Sequence, residues 1–402
     1  MEAAVVYLRH DGKLLYWEER PPVPVGTRGE TPAEMASRAI RERGLDPDSL
    51  ERVRRGDPFD VADPSSLGAA TPDSQSRRPL TIYPFLFECP ALPSDGQPSS
   101  PAELSDTPVL WRGYDRVRPT VETVTADTTH GSATLSVRAL EVLRDEASAL
   151  ARGESDFDTP EEIAAALVAA RPTMTALANR VCRTIDNSKN RRAETVADAS
   201  NTAIDRALSA DEQAAATAAE RVAGTRVATL SRSGTVLSAL TDGKPGAVLV
   251  AESRPGGEGL AVADDLADSV ETTLTSDAAF PNQLGEWDTD ILLVGADAVL
   301  PDGRVVNKVG TLGATLGAAH HSVEVVVVTA SDKIAPDDSF DPERRNGRFS
   351  GISAAVTCHD PTFEVVGADC YDVLLTERGV LDREQIREFA EEAMRVRSLL
   401  EE

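Results

Sequence analysis

Five short, largely apolar runs punctuate the second half of the chain: Val227-Ala228-Thr229-Leu230, Ala247 to Val250, Ile291 to Val294, Val323 to Val328, and Val373-Leu374-Leu375. Each is short enough for a strand covered on both faces, and stretches of helical spacing lie between them, so the pattern predicts a doubly wound parallel sheet. Before these runs the texture is alanine-rich, and apolar residues at helical spacing predict helices over 136–151, 160–170, 172–186 and 193–223. Residues 1 to about 120 read as a smaller α/β unit. A hairpin is expected from Ala3–Leu8 and Leu14–Trp17 about Asp11-Gly12. A helix follows from Pro32 through Arg43 with Thr31 as N-cap and Gly44 as terminator, then strands at 80–83 and 85–88. Segments 62–79 and 90–108 are rich in Pro and Ser and read as loops or partial disorder. A last amphipathic helix presents Ile386, Phe389, Ala393, Val396 and Leu400 on one face, suited to a core or a subunit contact. The expected domains are 1–122, 125–223 and 224–402.

Composition narrows the function. With 402 residues the chain exceeds one ordinary core. A net charge of −26 argues against a nucleic-acid partner, since no basic excess exists to neutralise phosphates. Lys13, Lys189, Lys244, Lys308 and Lys333 are the only lysines among 41 basic residues, which leaves arginine for the rest. Such an acidic, lysine-poor surface resembles proteins of salt-loving microbes, haloarchaea among them, where molar salt screens self-repulsion. The four cysteines form no CxxC pair, so neither a zinc site nor a disulfide framework is expected. The opening residues show no cleavable signal and no apolar run approaches a membrane span, so a cytoplasmic protein without a membrane partner is expected.

The polar residues that follow the strands carry the candidate chemistry. Ser231-Arg232-Ser233-Gly234-Thr235 leads into a helix whose free amides favour an anion. Glu252-Ser253-Arg254-Pro255-Gly256-Gly257 offers Arg254 as a two-pronged phosphate donor on a backbone that glycine lets a ligand approach. The third strand leads to Asp297, a Pro-Asp-Gly turn, Asn307 and Lys308, and the fourth to Ser331-Asp332-Lys333. Ligands of open α/β sheets bind outside the carboxyl ends of strands, so these ends together predict one site for a phosphorylated small molecule.

TLSRSGTV, AESRPGGEG, GADAVLPDGRVVNKVGT, LLTERGV and RPTMTALANR resemble the superfamily that contains the α, β and δ subunits of initiation factor 2B, ribose-1,5-bisphosphate isomerase and methylthioribose-1-phosphate isomerase. The resemblance covers about 125–402 and implies a helical part on a Rossmann-like sheet, oligomeric assembly, and no cofactor for this region. It also implies a catalytic aspartate at Asp297 and a cysteine at the position of Ser231. Ser233, Arg254, Asn307, Lys308, Lys333 and Gly131 make up the implied ligand-binding set, with Gly131 in the Thr129-His130-Gly131-Ser132 turn. A hydroxyl needs an adjacent base to act as a thiol would. The serine therefore favours a binding or regulatory protein over an isomerase, with a translation factor as a conceivable partner.

In the N-terminal third, GKLLYWEER, GETPAEMASRAIRERGLD and YPFLFE resemble a Nudix domain. Glu30, Arg38, Ile40, Glu42 and Gly44-Leu45 fit parts of its box. Ala39 and Arg43 stand where glutamates would hold magnesium, and one residue is missing before Gly44. The resemblance implies a degenerate, inactive Nudix-like scaffold in which magnesium is doubtful, and the rival reading is a Nudix diphosphate hydrolase. The fold class expected for the whole is α/β: a Nudix-like domain, a helical subdomain and a Rossmann-like sheet domain.

Overall fold

Asp11 and Gly12 both take left-handed backbone conformations, φ 50° and 73°. A tight turn between right-twisted strands requires this, and the turn joins β1 (Glu2–His10) to β2 (Lys13–Tyr16) with His10 opposite Lys13. The structure, a computed structural model, describes residues 1–17, 22–27, 29–62, 79–340, 353 and 356–400. The expected strand end at Trp17 is described, whereas residues 18–20 of the GKLLYWEER motif and 63–78 of the expected loop lie outside the described residues. The chain divides into two units, Met1–Thr123 with Glu141–Asp158, and Val124–Leu140 with Thr159–Glu402.

In the first unit, Thr31 caps α1 (Pro32–Arg41) through a capping box with Glu34. The helix stops two residues short of the expected Arg43, with Glu42 as its C-cap. Strands β3 (Glu51–Arg55), β4 (Phe59–Val61), β5 (Leu80–Glu88) and β6 (Gln97–Ser99) complete a sheet of order β3-β5-β1-β2-β6, with β4 also on β5. Two expectations are corrected here. Residues 80–88 form one strand, because Pro84 keeps extended geometry opposite Val5 and its carbonyl still accepts the Gly56 N–H. The 90–108 segment is also ordered, with β6 followed by a 3₁₀ turn at Pro101–Asp106 capped by Ser100. Met35, Ala36, Ala39 and Ile40 of α1 pack on one sheet face, and Trp111 and Tyr114 of α2 (Pro108–Tyr114) on the other. After α3 (Val121–Ala126), helix α4 (Ser132–Ala151) supplies Glu141 to this unit, where it shares the buried Arg9 with Glu88 at 3.0 and 2.6 Å.

The second unit takes the start of α4, then α5 (Pro160–Ala170), α6 (Thr175–Asn187) and α7 (Ala193–Val222). The third expected helix begins at Thr175, not Pro172, because residues 171–174 close a turn in which Met174 N–H donates to the Arg171 carbonyl. Strands and helices then alternate: β7 (Arg226–Thr229), α8 (Gly234–Gly243), β8 (Ala247–Ala251), α9 (Glu258–Ala267), β9 (Thr272–Thr275), α10 (Phe280–Glu286) and β10 (Ile291–Val294). A hairpin of β11 (Ala298–Val299) and β12 (Val305–Lys308) leads to α11 (Thr311–His321) and β13 (Glu324–Val328). Last come β14 (Phe363–Val366), β15 (Val373–Thr376), β16 (Gly379–Val380) and α12 (Arg383–Ser398).

The main sheet runs β16-β15-β13-β10-β7-β8-β9, parallel throughout except for β16. Alternate side chains fill two cores: Leu249, Leu292, Val294, Val325 and Val327 on one face, Val248, Val250, Leu293, Val326 and Val328 on the other. The chain builds outward from β7 to β9, then returns to the other side of β7 at β10. The strand order therefore reverses between β7 and β10, the place where such sheets open a crevice. The loop expected after β10 is instead a hairpin arm, since β11, β12 and β14 form a separate antiparallel sheet. No helix among the described residues is long and apolar enough to cross a membrane.

Candidate functional site

Four hydrogen-bonded or close contacts tie together the turns at the carboxyl ends of the parallel strands. After β7, Ser231 adopts a left-handed backbone, φ 64°, and its N–H donates to Ser253 Oγ at 2.7 Å. Ser253, after β8, is buried and also left-handed, and its hydroxyl donates to the Ala251 carbonyl at 2.9 Å. The Asp277 carboxylate accepts both the Ser253 and Arg254 N–H groups at 2.7 Å, which fixes this unusual turn. Two serines at neighbouring strand ends, Ser231 and Ser253, hold left-handed geometry because each has a side-chain partner for its amide.

Across the switch point, Gly295 follows β10 and packs against Ser233 so closely that a Cβ there would lie 2.8 Å from Ser233 Oγ. Ser233 is the N-cap of α8, its hydroxyl accepting Val236 N–H at 3.4 Å. Asp297, two residues past Gly295 and partly exposed, is anchored by its own N–H on the Val306 carbonyl at 2.8 Å. Lys333, buried after β13, donates from Nζ to the Ala296 carbonyl at 2.7 Å.

Lys308 closes the arrangement from the hairpin arm. Its side chain is 2% exposed and its Nζ meets both carboxylate oxygens of Glu258, the first residue of α9, at 2.7 Å. Asn307 is buried and donates to Thr311 Oγ at 3.0 Å, while that hydroxyl donates to the Lys308 carbonyl at 2.6 Å. Ser231, Ser233, Asp297 and Lys333 therefore stand on strand-end turns, and Asn307 and Lys308 on β12, in segments that are stitched to one another. Arg254 is held locally and half-exposed, with its Nε 2.9 Å from Glu252. Gly131 is local as well, its carbonyl accepting Leu135 N–H at 3.0 Å at the start of α4. Beside it, His130 Nδ1 lies 2.7 Å from Asp127 and remains exposed.

Sequence reasoning passed over several residues that build this frame. Asp332 is clasped by Arg180 at 2.9 Å and by Arg183, and Asn179 donates to the Asp332 and Ile334 carbonyls at 2.8 and 2.7 Å. Burial would raise the Asp332 carboxyl, and the two arginine charges with their hydrogen bonds more than reverse this and hold it low. Asn179 and Arg180 are the residues through which the RPTMTALANR segment grips the turn that carries Lys333, and Arg183 adds to that grip from the next helical turn. Arg171 of the same segment donates to the Val124 carbonyl at 2.9 Å and to the Asp127 carbonyl, bracing the stretch that ends at Gly131. Glu258 and Asp277 were likewise visible as acids near strand ends, but nothing local marks which backbone amide or cation an acid will meet.

Residues 128–383 match the model of the Initiation factor 2 subunit family. Methylthioribose-1-phosphate isomerase of Stutzerimonas stutzeri (strain A1501) is 32% identical over 162 residues, 37% of this chain and 45% of the relative. That of Pseudomonas fluorescens (strain Pf0-1) is 31% identical over 170 residues, 39% of this chain and 48% of the relative. The chain thus spans less than half the length of these curated relatives. Among solved structures, the translation initiation factor eIF-2B of Pyrococcus horikoshii OT3 aligns with a TM-score of 0.57 at 24% identity, over 66% of this chain and 97% of that one. The 5-methylthioribose 1-phosphate isomerase of the same organism aligns with a TM-score of 0.53 at 19% identity, over 69% and 86%. At these identities the structural likeness shows the fold. The relatives named as an isomerase overturn the expectation of a purely binding or regulatory protein, which had rested on serine in place of cysteine at one position. With more than half its length matched, the chain belongs to the Initiation factor 2 subunit family.

Proposed function

We propose that this chain is a sugar-phosphate aldose–ketose isomerase that acts on a 1-phosphorylated pentose. The carrying observation is the position of Asp297 at the switch point, on a turn locked to its neighbours through Gly295, Ala296 and Val306. The names of the relatives supply the reaction class. In this reading Asp297 donates the proton that opens the sugar ring, and the Asn307 and Lys308 side chains meet substrate oxygens. The α8 N-terminus behind Ser233 favours the phosphate. The test is to incubate the purified protein, in molar salt suited to its charge, with 5-methylthioribose 1-phosphate and separately with ribose 1,5-bisphosphate, and to follow the ketose by NMR. Turnover lost in Asp297→Asn is the expected result, and no ketose from either sugar overturns the reading.

The N-terminal unit is in our reading a Nudix-like scaffold without hydrolase chemistry. Arg38 spans Glu30 at 2.9 Å and Glu42 at 3.3 Å and also donates to the Val25 carbonyl. Both carboxylates of the partial box thus face a guanidinium, a donor set that does not fit magnesium. Magnesium-dependent cleavage of a nucleoside diphosphate derivative, lost in Glu42→Gln, overturns this.

A further inference from the structure

We propose that Glu258 is the proton acceptor that works with Asp297, in the role for which Ser231 lacks a thiol; this inference rests on the isomerase reading above. The acids around the stitched turns differ in what holds them. Asp277 is saturated by two backbone amides, Asp332 by two arginines, and Glu377 by the amide and hydroxyl of Ser331. Glu252 pairs with the half-exposed Arg254. Glu258 differs from all of these. Its carboxylate takes the Lys308 ammonium on both oxygens at 2.7 Å, with the Arg254 charge nearby, while 31% of the side chain stays exposed. Lys308 is itself buried at the end of β12, the strand whose Val306 carbonyl anchors Asp297. Ser231 lacks this kind of support, because its amide is spent on Ser253 and no described side chain hydrogen-bonds its hydroxyl. A hydroxyl without an adjacent base does not accept a proton at neutral pH, whereas a carboxylate can.

The step balances without an oxidant or a metal. The bond from C1 to the ring oxygen breaks, its electron pair passes to that oxygen, and the oxygen takes the proton of Asp297. The hydrogen on C2 moves with its electron pair to C1, and the C2 hydroxyl gives its proton to Glu258, which leaves a ketone at C2. Solvent then carries the proton from Glu258 back to Asp297.

The experiment compares the full-length protein with its Glu258→Gln, Glu258→Asp, Ser231→Cys and Ser231→Cys/Glu258→Gln variants on 5-methylthioribose 1-phosphate across pH. Glutamine keeps an oxygen for Lys308, and a thermal melt checks that each variant folds. Expected are a fall in kcat of about 100-fold or more in Glu258→Gln with KM little changed, and partial activity in Glu258→Asp. The double variant should recover about 10-fold, with its activity rising only as a thiol ionises, near pH ~8.5. A folded Glu258→Gln with near-normal kcat overturns the proposal, and so does a loss that the thiol does not rescue, since that marks a structural role. Wild type inactive on both sugars instead removes the isomerase reading itself, and activity that appears only with Ser231→Cys overturns this proposal.

Discussion

Lys333 Nζ donates to the backbone carbonyl of Ala296 at 2.7 Å, so a buried ammonium after β13 fixes the peptide immediately before Asp297. Reading the sequence placed Lys333 in the ligand-binding set as a cation at a strand end. In the structure its charge reaches the site through the backbone, as a clamp on the acid. Lys333→Met leaves the Ala296 carbonyl without this donor, which costs about 1–3 kcal/mol by the usual penalty for an unmet buried polar group. The expected kinetic mark is a fall in kcat larger than any rise in KM, measured by initial rates over a substrate range. A change confined to KM would assign Lys333 to the ligand instead.

Asp332 joins Arg180 and Arg183 beneath the same turn, and the three are buried together. Replacing it with asparagine leaves Arg180 with Asp211 at 3.2 Å and Arg183 with the more exposed Glu392 at 3.3 Å, and removes the buried charge they share. Breaking a buried pair in this way costs about 3–5 kcal/mol, so Asp332→Asn should lower the midpoint of urea unfolding well outside error. The arginine charges hold the Asp332 carboxyl low in the folded protein. A depressed pKa means the pair stabilises above the carboxyl's unfolded value and loses that contribution as pH falls through the folded one. The wild-type and Asp332→Asn unfolding midpoints should therefore converge in acid.

Gly295 tests the switch point directly. A Cβ there would sit 2.8 Å from Ser233 Oγ and 2.9 Å from its Cβ, with no flexible side-chain end to yield. Gly295→Ala must push the β7 and β10 turns apart, at about 1–3 kcal/mol of overpacking cost. Turnover should fall more steeply than stability, as measured by kcat/KM beside a thermal melt. Gly313, where an added Cβ meets nothing within 4 Å, is the control and should accept alanine with activity intact.

The sheet was legible because its central strands are apolar on both faces. Ile291–Val294 appears in the structure with the bounds read from the sequence, and the strand-end chemistry followed from that placement. β9 escaped notice since Thr272–Thr275 is an edge strand, half in solvent, and its threonines carry no apolar run. The hairpin arm was hidden for a different reason. Val305-Val306 and Phe363–Val366 are paired by a contact between residues nearly sixty apart, so the Pro-Asp-Gly turn looked like a loop. At the site, which residues lie at the turns could be read, but their partners could not. Glu258 and Lys308 are fifty residues apart, and their pairing exists only once α9 and β12 are placed.

The last prediction concerns the first unit, where Glu30 accepts from Arg38 at 2.9 Å and from the Thr27 amide at 2.9 Å. The hydrogen bond from Arg38, helped by that amide, pulls the Glu30 carboxyl down to about 2. A folded value below the unfolded one means the pairing stabilises the unit at neutral pH and down through the ordinary glutamate range, and fades as pH approaches 2. Glu30 lies in the loop just before α1 and near solvent, so salt screens part of the effect and the contribution is modest. Arg38→Met removes the larger cause, so carboxyl-detected NMR should place Glu30 back toward the ordinary range while Glu34, held by Thr31, stays depressed. An unchanged Glu30 titration in that variant would show that the Thr27 amide and hydroxyl alone set its charge.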